Sequence, residues 1–245
     1  MALQVMHIEK IPKIVADKFL QREFETSTTI KHKYVLEVYD IIRSNHCFYI
    51  FMEFAPGGSL QSYVKKGPLK EDKTRYWFKQ CTEGLDCMHN KYKICHRDIK
   101  PDNVLLDANE NCKLSDFGFA KTNDEEDSLT GTICGTLPFE APELINGSGK
   151  KYNPFAVDVW AMGVMLYQLL NGDFPFKFPP KGTKDKEGMK VFLKKQMKSD
   201  FKHKDGVVEK LSIQVQDLCK KCLNPNPETR YTTQRMLKHG WLNHG

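Results

Sequence analysis

Long apolar runs are missing from this chain. The longest, Val159 to Leu170, is interrupted by Gly163 and Gln168 and falls short of the roughly 20 residues that a bilayer-spanning helix needs. No membrane span is expected. A secretory leader is also lacking: Met1-Ala2-Leu3-Gln4-Val5-Met6-His7 has neither a basic start nor a long apolar core. The expectation is an intracellular, cytoplasmic protein, with the nucleus left open. Metal-site spacing is scarce too. Among eight cysteines, Cys219 and Cys222 form the sole Cys-x-x-Cys, and a structural zinc site wants a second ligand pair. A disulfide framework does not suit a large chain without a leader. The helical apolar spacing around Cys219 to Leu223 predicts packed core thiols. The aromatic–basic interleaving of RNA readers is absent, so there is no strong nucleic-acid signal.

What is present is a soluble globular composition, 40% hydrophobic and 28% charged over 245 residues, enough for one large domain or two lobes sharing a cleft. The net charge of +6 is local: ten lysines between Lys177 and Asp205 face only Asp185, Glu187, Asp200 and Asp205. Such a segment can be a docking face for acidic partners, anionic lipid or nucleic acid. The favoured reading is a solvated loop and an amphipathic helix with Met189, Phe192, Leu193 and Met197 on its inner face.

The chemistry concentrates in His96-Arg97-Asp98-Ile99-Lys100-Pro101-Asp102-Asn103, followed by the apolar strand Val104-Leu105-Leu106 and, thirteen residues after Asn103, by Asp116-Phe117-Gly118. A carboxylate at Asp98 can accept a proton from an incoming hydroxyl, and Lys100 can reach the same place. Asn103 and Asp116 are hard oxygen ligands suited to Mg²⁺ held together with phosphates. Phosphoryl transfer asks for little more than such positioning and charge neutralisation. This pattern resembles the catalytic and metal-binding loops of the eukaryotic protein kinases, and the resemblance runs from Ala2 to about Leu242.

The resemblance implies an α+β, bilobal kinase-like fold: a truncated small β-rich lobe over 1–54, a hinge at 55–58 and a mainly helical lobe over 59–245. It implies ATP and Mg²⁺ as cofactors and a protein serine or threonine as substrate. Asp98, Lys100 and Asn103 become the catalytic residues, and Asn103 and Asp116 the metal ligands. Ala2, Gln4, Met52, Glu53, Ala55 and Leu105 fall on the ATP site. Met52 fits the residue guarding the adenine pocket, and Glu53 to Ala55 the backbone that hydrogen-bonds adenine. Pro56-Gly57-Gly58 reads as a turn, Ser59 as the N-cap of a helix from Leu60, and Glu71 to Tyr92 as one amphipathic helix. Tyr34–Ile42 and Cys47–Glu53 read as a hairpin.

Three departures bear on activity. Gln4 stands where the family has a lysine that holds the α- and β-phosphates and pairs with the helix glutamate, here Glu23. The family's glycine-rich loop has no counterpart in the sequence. Ser27 replaces an apolar residue that stacks with Phe117 and His96, and the polar run Thr26 to Thr29 is poor helix interior, so the helix from about Lys13 is expected to end early or dock loosely. Two readings are open, an active kinase and a pseudokinase or scaffold.

The activation segment of the resemblance is 116–143. It ends in Cys134-Gly135-Thr136-Leu137-Pro138-Phe139-Glu140-Ala141-Pro142-Glu143, whose Ala-Pro-Glu is lacking in small-molecule kinases of the aminoglycoside and choline type. Thr136 with Lys100 is the serine/threonine combination. Thr132 falls on a phosphosite for an upstream kinase, with Arg97 placed to grip the phosphate. Asp102 can serve basic substrates, while Ser59 stands where many base-preferring relatives have glutamate. Glu143 is expected to pair with Arg230, and Asp158 to cap the catalytic-loop backbone. Short matches at Lys10 to Pro12, Phe19 to Glu23 and Leu114 to Phe119 look like the testis-specific serine kinases, within the calmodulin-dependent group.

Overall fold

The computed structural model describes residues 1–7, 27–44, 46–116, 121–122, 137–146, 152–177 and 186–243. Three antiparallel strands, β1 (Ala2–His7), β2 (Val38–Ser44) and β3 (Cys47–Met52), form a sheet in the order β1-β3-β2. Alternation along β3 buries Phe48 and Ile50 and leaves Tyr49 and Phe51 half-exposed, as a half-buried strand requires. The expected hairpin is present, but β2 starts at Val38 rather than near Tyr34. The residues before it are bonded elsewhere: Leu114 N donates to Tyr34 O (2.9 Å), and Leu36 N to Leu114 O (2.8 Å). Residues 27–29 are helical, with Ser27 and Ile30 buried. The expected helix from about Lys13 lies, up to residue 26, outside the described residues, and the helical backbone of 27–29 ends before Ile30. Burial carries this turn in spite of its polar, β-branched sequence.

The break after β3 is tied to Leu106, some fifty residues along the chain. Gly57 N donates to Leu106 O (2.9 Å), and Leu106 N to Gly58 O (2.8 Å). A Cβ on Gly57 would stand 2.7 Å from Leu106 Cβ, so the close approach needs glycine. Helix α1 (Gln61–Val64) takes Leu60 as its N-cap with no side-chain bond. Ser59 is not the cap; its carbonyl accepts from Ser62 N and Ser62 Oγ.

Helix α2 (Glu71–Asp86) buries Trp77, Phe78, Cys81 and Leu85, then loosens into a π-helical stretch, Cys87–Tyr92. The expected single helix thus changes pitch at Cys87. Four short strands come next among the described residues, β4 (Ile94–Cys95), β5 (Val104–Leu106), β6 (Cys112–Leu114) and β7 (Lys121–Thr122), paired as β4–β7 and β5–β6. Beyond α3 (Pro142–Ile145), α4 (Pro154–Asn171) is buried on every side from Ala156 to Asn171. Its start is set by Pro154 and by Asn153 Oδ1, which accepts from Phe155 N (3.0 Å) and Ala156 N (3.3 Å), a capped N-terminus of the favoured kind.

Helix α5 (Lys186–Met197) is amphipathic as expected. Phe192 is buried and Met189 and Leu193 are partly so, but Met197 is 50% exposed and Gln196 takes the inner position. Helices α6 (Ile213–Cys222), α7 (Thr233–Leu237) and α8 (Gly240–Asn243) complete the described chain. Cys219 and Cys222 are free, fully buried thiols, pushed up by burial. Glu71 ties α2 to this end, accepting from Ser212 N, Ser212 Oγ and Trp241 Nε1. No described helix is long and apolar enough to cross a membrane.

Candidate active site

The loop between β4 and β5 carries His96 to Asn103, and its backbone is held from beneath by one carboxylate. Asp158, buried in α4, accepts from His96 N through Oδ2 (2.7 Å) and from Arg97 N through Oδ1 (2.7 Å). Arg97 sits at φ +67°, a conformation that costs a non-glycine residue and persists when the surroundings over-determine it. The two bonds to Asp158 do so. His89, from the π-helical stretch, adds a third contact, Nε2 to Asp158 Oδ2 at 2.8 Å. Burial pushes the Asp158 carboxyl up, but the His89 bond, the neighbouring imidazoles and the Arg97 N–H outweigh it and hold it below its ordinary value.

Asp98 divides its two oxygens. Oδ2 accepts from Lys100 Nζ (2.6 Å) and from Asn103 Nδ2 (2.7 Å). Oδ1 meets no donor among the described residues. Asn103 Nδ2 also bonds Asp98 O (2.9 Å), which uses up the amide N–H side and leaves Oδ1 of Asn103 for another partner. Ser115 donates twice to Asn103 O, from N (2.9 Å) and Oγ (3.0 Å). The loop is thereby joined to the end of β6, from which Asp116 projects, exposed, at φ +65°. His96 is fully buried beside Asp158, Asp98 and Asp116, and burial lowers its basicity further than these carboxylates restore it. It therefore stays neutral.

Metal chemistry fits this donor set in one way. No group of three or more His, Cys, Asp and Glu side chains that could hold a metal ion occurs among the described residues. One carboxylate and one amide oxygen suit a hard cation that completes its shell with phosphate and water.

Along the cleft side, Ala2 pairs with Met52 and Gln4 with Ile50. Directly opposed residues share a face, so Gln4 points to the side on which Ile50 is buried. Glu53 N donates to Glu37 O (2.8 Å), and Lys113 Nζ holds the Glu53 carboxylate (2.7 Å). Among the described residues, Glu53 O and Ala55 N form no backbone hydrogen bond. Leu105 is half-buried in β5.

Glu143 and Arg230 meet as a two-pronged pair, Nη1 to Oε1 at 2.7 Å and Nη2 to Oε2 at 2.9 Å. Arg230 also donates to Ala156 O and Asn224 O and lies over the Trp160 ring. Glu23, Phe117, Thr132 and Thr136 lie outside the described residues. His89 was not legible in the sequence as a partner of Asp158, because a lone histidine in a helix carries no spacing signal. Glu71 was equally silent as a tie between distant helices.

Comparison with known proteins agrees with this geometry. The family model described as "Protein kinase domain" matches residues 1–242. CBL-interacting serine/threonine-protein kinase 15 of Arabidopsis thaliana is 35% identical over the whole chain, which covers 55% of that relative. CBL-interacting protein kinase 10 of Oryza sativa subsp. japonica is 34% identical, again over the whole chain and 51% of the relative. CBL-interacting serine/threonine-protein kinase 10 of Arabidopsis thaliana is 36% identical over 48% of its length. The chain thus spans about half the length of these curated relatives. They are CBL-interacting kinases, which corrects the expected likeness to testis-specific kinases: short motifs around the Asp-Phe-Gly loop are too widely shared to mark a subfamily. With its loop geometry and a match over nearly its whole length, the chain belongs to the protein kinase domain family.

Proposed function

We propose that this chain transfers the γ-phosphate of ATP to a serine or threonine hydroxyl of a protein. The observation that carries the reading is the division of labour on Asp98. Its Oδ2 is anchored by Lys100 and Asn103, and its Oδ1 is left to accept the proton of an incoming hydroxyl. Lys100 Nζ, beside that carboxylate, is placed to steady the transferring phosphate. Asn103 Oδ1 and Asp116 would hold Mg²⁺, which when bound with ATP supplies charge neutralisation at the phosphates. The unbonded Glu53 O and Ala55 N would receive adenine, with Met52 and Leu105 against the ring. Residues 1–54, 55–58 and 59–245 act as small lobe, hinge and large lobe.

Arg97 supports regulation through Thr132, since its buried Nε bonds nothing among the described residues and can meet a phosphate placed there by another kinase. We place the protein inside the cell, where its described cysteines, all free, stay reduced. A second reading, a pseudokinase, is favoured by Gln4, which offers no charge to the phosphates. The nucleotide site is tested by thermal shift. ATP should raise the melting temperature more with Mg²⁺ than without it, and Asp116→Ala should remove the difference. Equal stabilisation with and without metal, unchanged in the variant, contradicts the assignment.

A further inference from the structure

The lysines between 177 and 205 differ in what holds them. Asp173 takes Lys177 and, at 3.3 Å, Lys204. Lys190 stands 3.9 Å from Glu187, with the two side chains 74% and 72% exposed. Lys194, Lys195 and Lys198 meet no carboxylate among the described residues. The unmatched charge of this stretch therefore gathers on α5 and the turn that ends it.

Helix α5 is fixed to the body by its other side. Phe192 is buried, and Gln196 donates Nε2 to Glu140 O (3.0 Å). Past Met197 the end is closed by Lys198 N on Lys194 O (3.2 Å) and by Ser199 Oγ on Leu223 O (3.0 Å). At 3.6 residues per turn, Lys190, Lys194 and Lys198 fall in one outward row, about 6 Å apart along the axis, and all three are exposed. Val191 and Met197 flank the row, 48% and 50% exposed. Such a row works against the helix, because like charges four residues apart destabilise it. The carbonyl end of α5 compensates for Lys194 and Lys195 in its last turn. It does not reach Lys190, and it gives no reason for two apolar side chains beside the lysines.

We infer that this ridge docks an acidic helix of a partner protein, with a carboxylate every four residues and an apolar side chain against Met197. A helix repeats its own four-apart carboxylates at the spacing of the lysine row, and the flexible thioether of Met197 adapts to what lies on it. A bilayer suits the ridge less well. The apolar side of α5 is spent on the core, so the helix cannot lie in a membrane interface as amphipathic anchors do. A nucleic-acid strand would find no aromatic side chain on the row to stack on. Because α5 is held before any partner arrives, docking orders little on this side. The inference makes no use of phosphotransfer and stands whether or not the chain is active.

The test is fluorescence anisotropy of the whole chain with a labelled helical peptide carrying glutamate every four residues and leucines beside them. A matched peptide has glutamine in place of glutamate. The acidic peptide should bind at least about tenfold tighter than the glutamine peptide, and the difference should shrink at high salt. Lys194→Glu with Lys198→Glu should remove the difference, and Met197→Ala should weaken the acidic peptide about fivefold. Lys65→Glu with Lys66→Glu changes the net charge equally at two other exposed lysines and should leave binding within about twofold of the parent. An equal loss in that control means that only overall charge is read, and overturns the inference. So does equal binding of the two peptides, or acidic-peptide binding within about twofold of the parent in Lys194→Glu with Lys198→Glu or in Met197→Ala. Phosphatidylserine vesicles and oligothymidine are measured alongside. If either binds more tightly than the acidic peptide through the same lysines, the face belongs to lipid or nucleic acid and the inference falls.

Discussion

At the scale of single residues, Asp98 and Glu140 show how neighbours decide what a carboxylate does. Asp98 has two donors on one oxygen and none on the other among the described residues, which orients it and leaves a lone pair for chemistry. Glu140 has no donor at all among them, and burial lifts it from 4.5 to about 7. The consequence has a definite sign. Between those values the folded state holds a proton that the unfolded state has lost, so stability falls as pH rises through the interval. At most this amounts to about 3 kcal/mol, and roughly half of that once water access to the outer oxygen is allowed for. Glu140→Gln should then raise the melting temperature by about 3–6 °C near pH 8 and leave it unchanged below about pH 4.5. Thermal unfolding followed by circular dichroism across that range checks this. A drop at high pH would mean that the charge is satisfied by a partner. The meeting of Asp98 and Asn103 was legible because their spacing is tied to chemistry. Glu140 was not, because a glutamate just ahead of Ala141-Pro142-Glu143 carries no sign of being buried without a donor.

At the scale of elements, the expected pieces are largely present, and the differences come from tertiary contacts. β2 begins late because Tyr34 and Leu36 give their backbone groups to Leu114. The turn at 27–29 is helical with Ser27 and Ile30 buried, which local propensity does not report. Met197 faces out because Gln196 is drawn to the Glu140 carbonyl. Helix α2 shows the same override at Gly84. Alanine in a helix interior is ordinarily favoured over glycine by about 1 kcal/mol. Here a Cβ would stand 2.9 Å from Tyr34 O and 3.1 Å from Leu114 Cδ1, and Tyr34 O is the acceptor that fixes β6 just before Asp116. Overpacking of this kind costs about 1–3 kcal/mol, so Gly84→Ala should destabilise. Urea unfolding should show a loss of about 1–2 kcal/mol, with nucleotide binding weakened as well. A stabilised Gly84→Ala would mean that the β6 tie yields freely.

At the scale of the whole molecule, one apolar cluster runs from Val38, Phe48 and Ile50 of the sheet through α2 and the strands around the loop to α4, α6 and Trp241. The loop from His96 to Asn103 is thus carried between a sheet and a helical body that share a core, with Asp158 beneath it and the Glu143–Arg230 pair fastening the stretch around Glu143. Breaking such a buried pair on one side typically costs about 3–5 kcal/mol, which is why the clamp belongs to architecture rather than to chemistry. The proposed phosphotransfer is tested most directly at Asp98. In single-turnover transfer of labelled γ-phosphate from Mg-ATP to a basic serine peptide, the parent chain should be slow, held back by Gln4. Asp98→Asn should lower the rate by a further factor of about 10²–10⁴ while ATP binding stays intact. Equal rates in the parent and Asp98→Asn, or no transfer in the parent even after Gln4→Lys, would contradict the assignment of this loop as a phosphotransfer site.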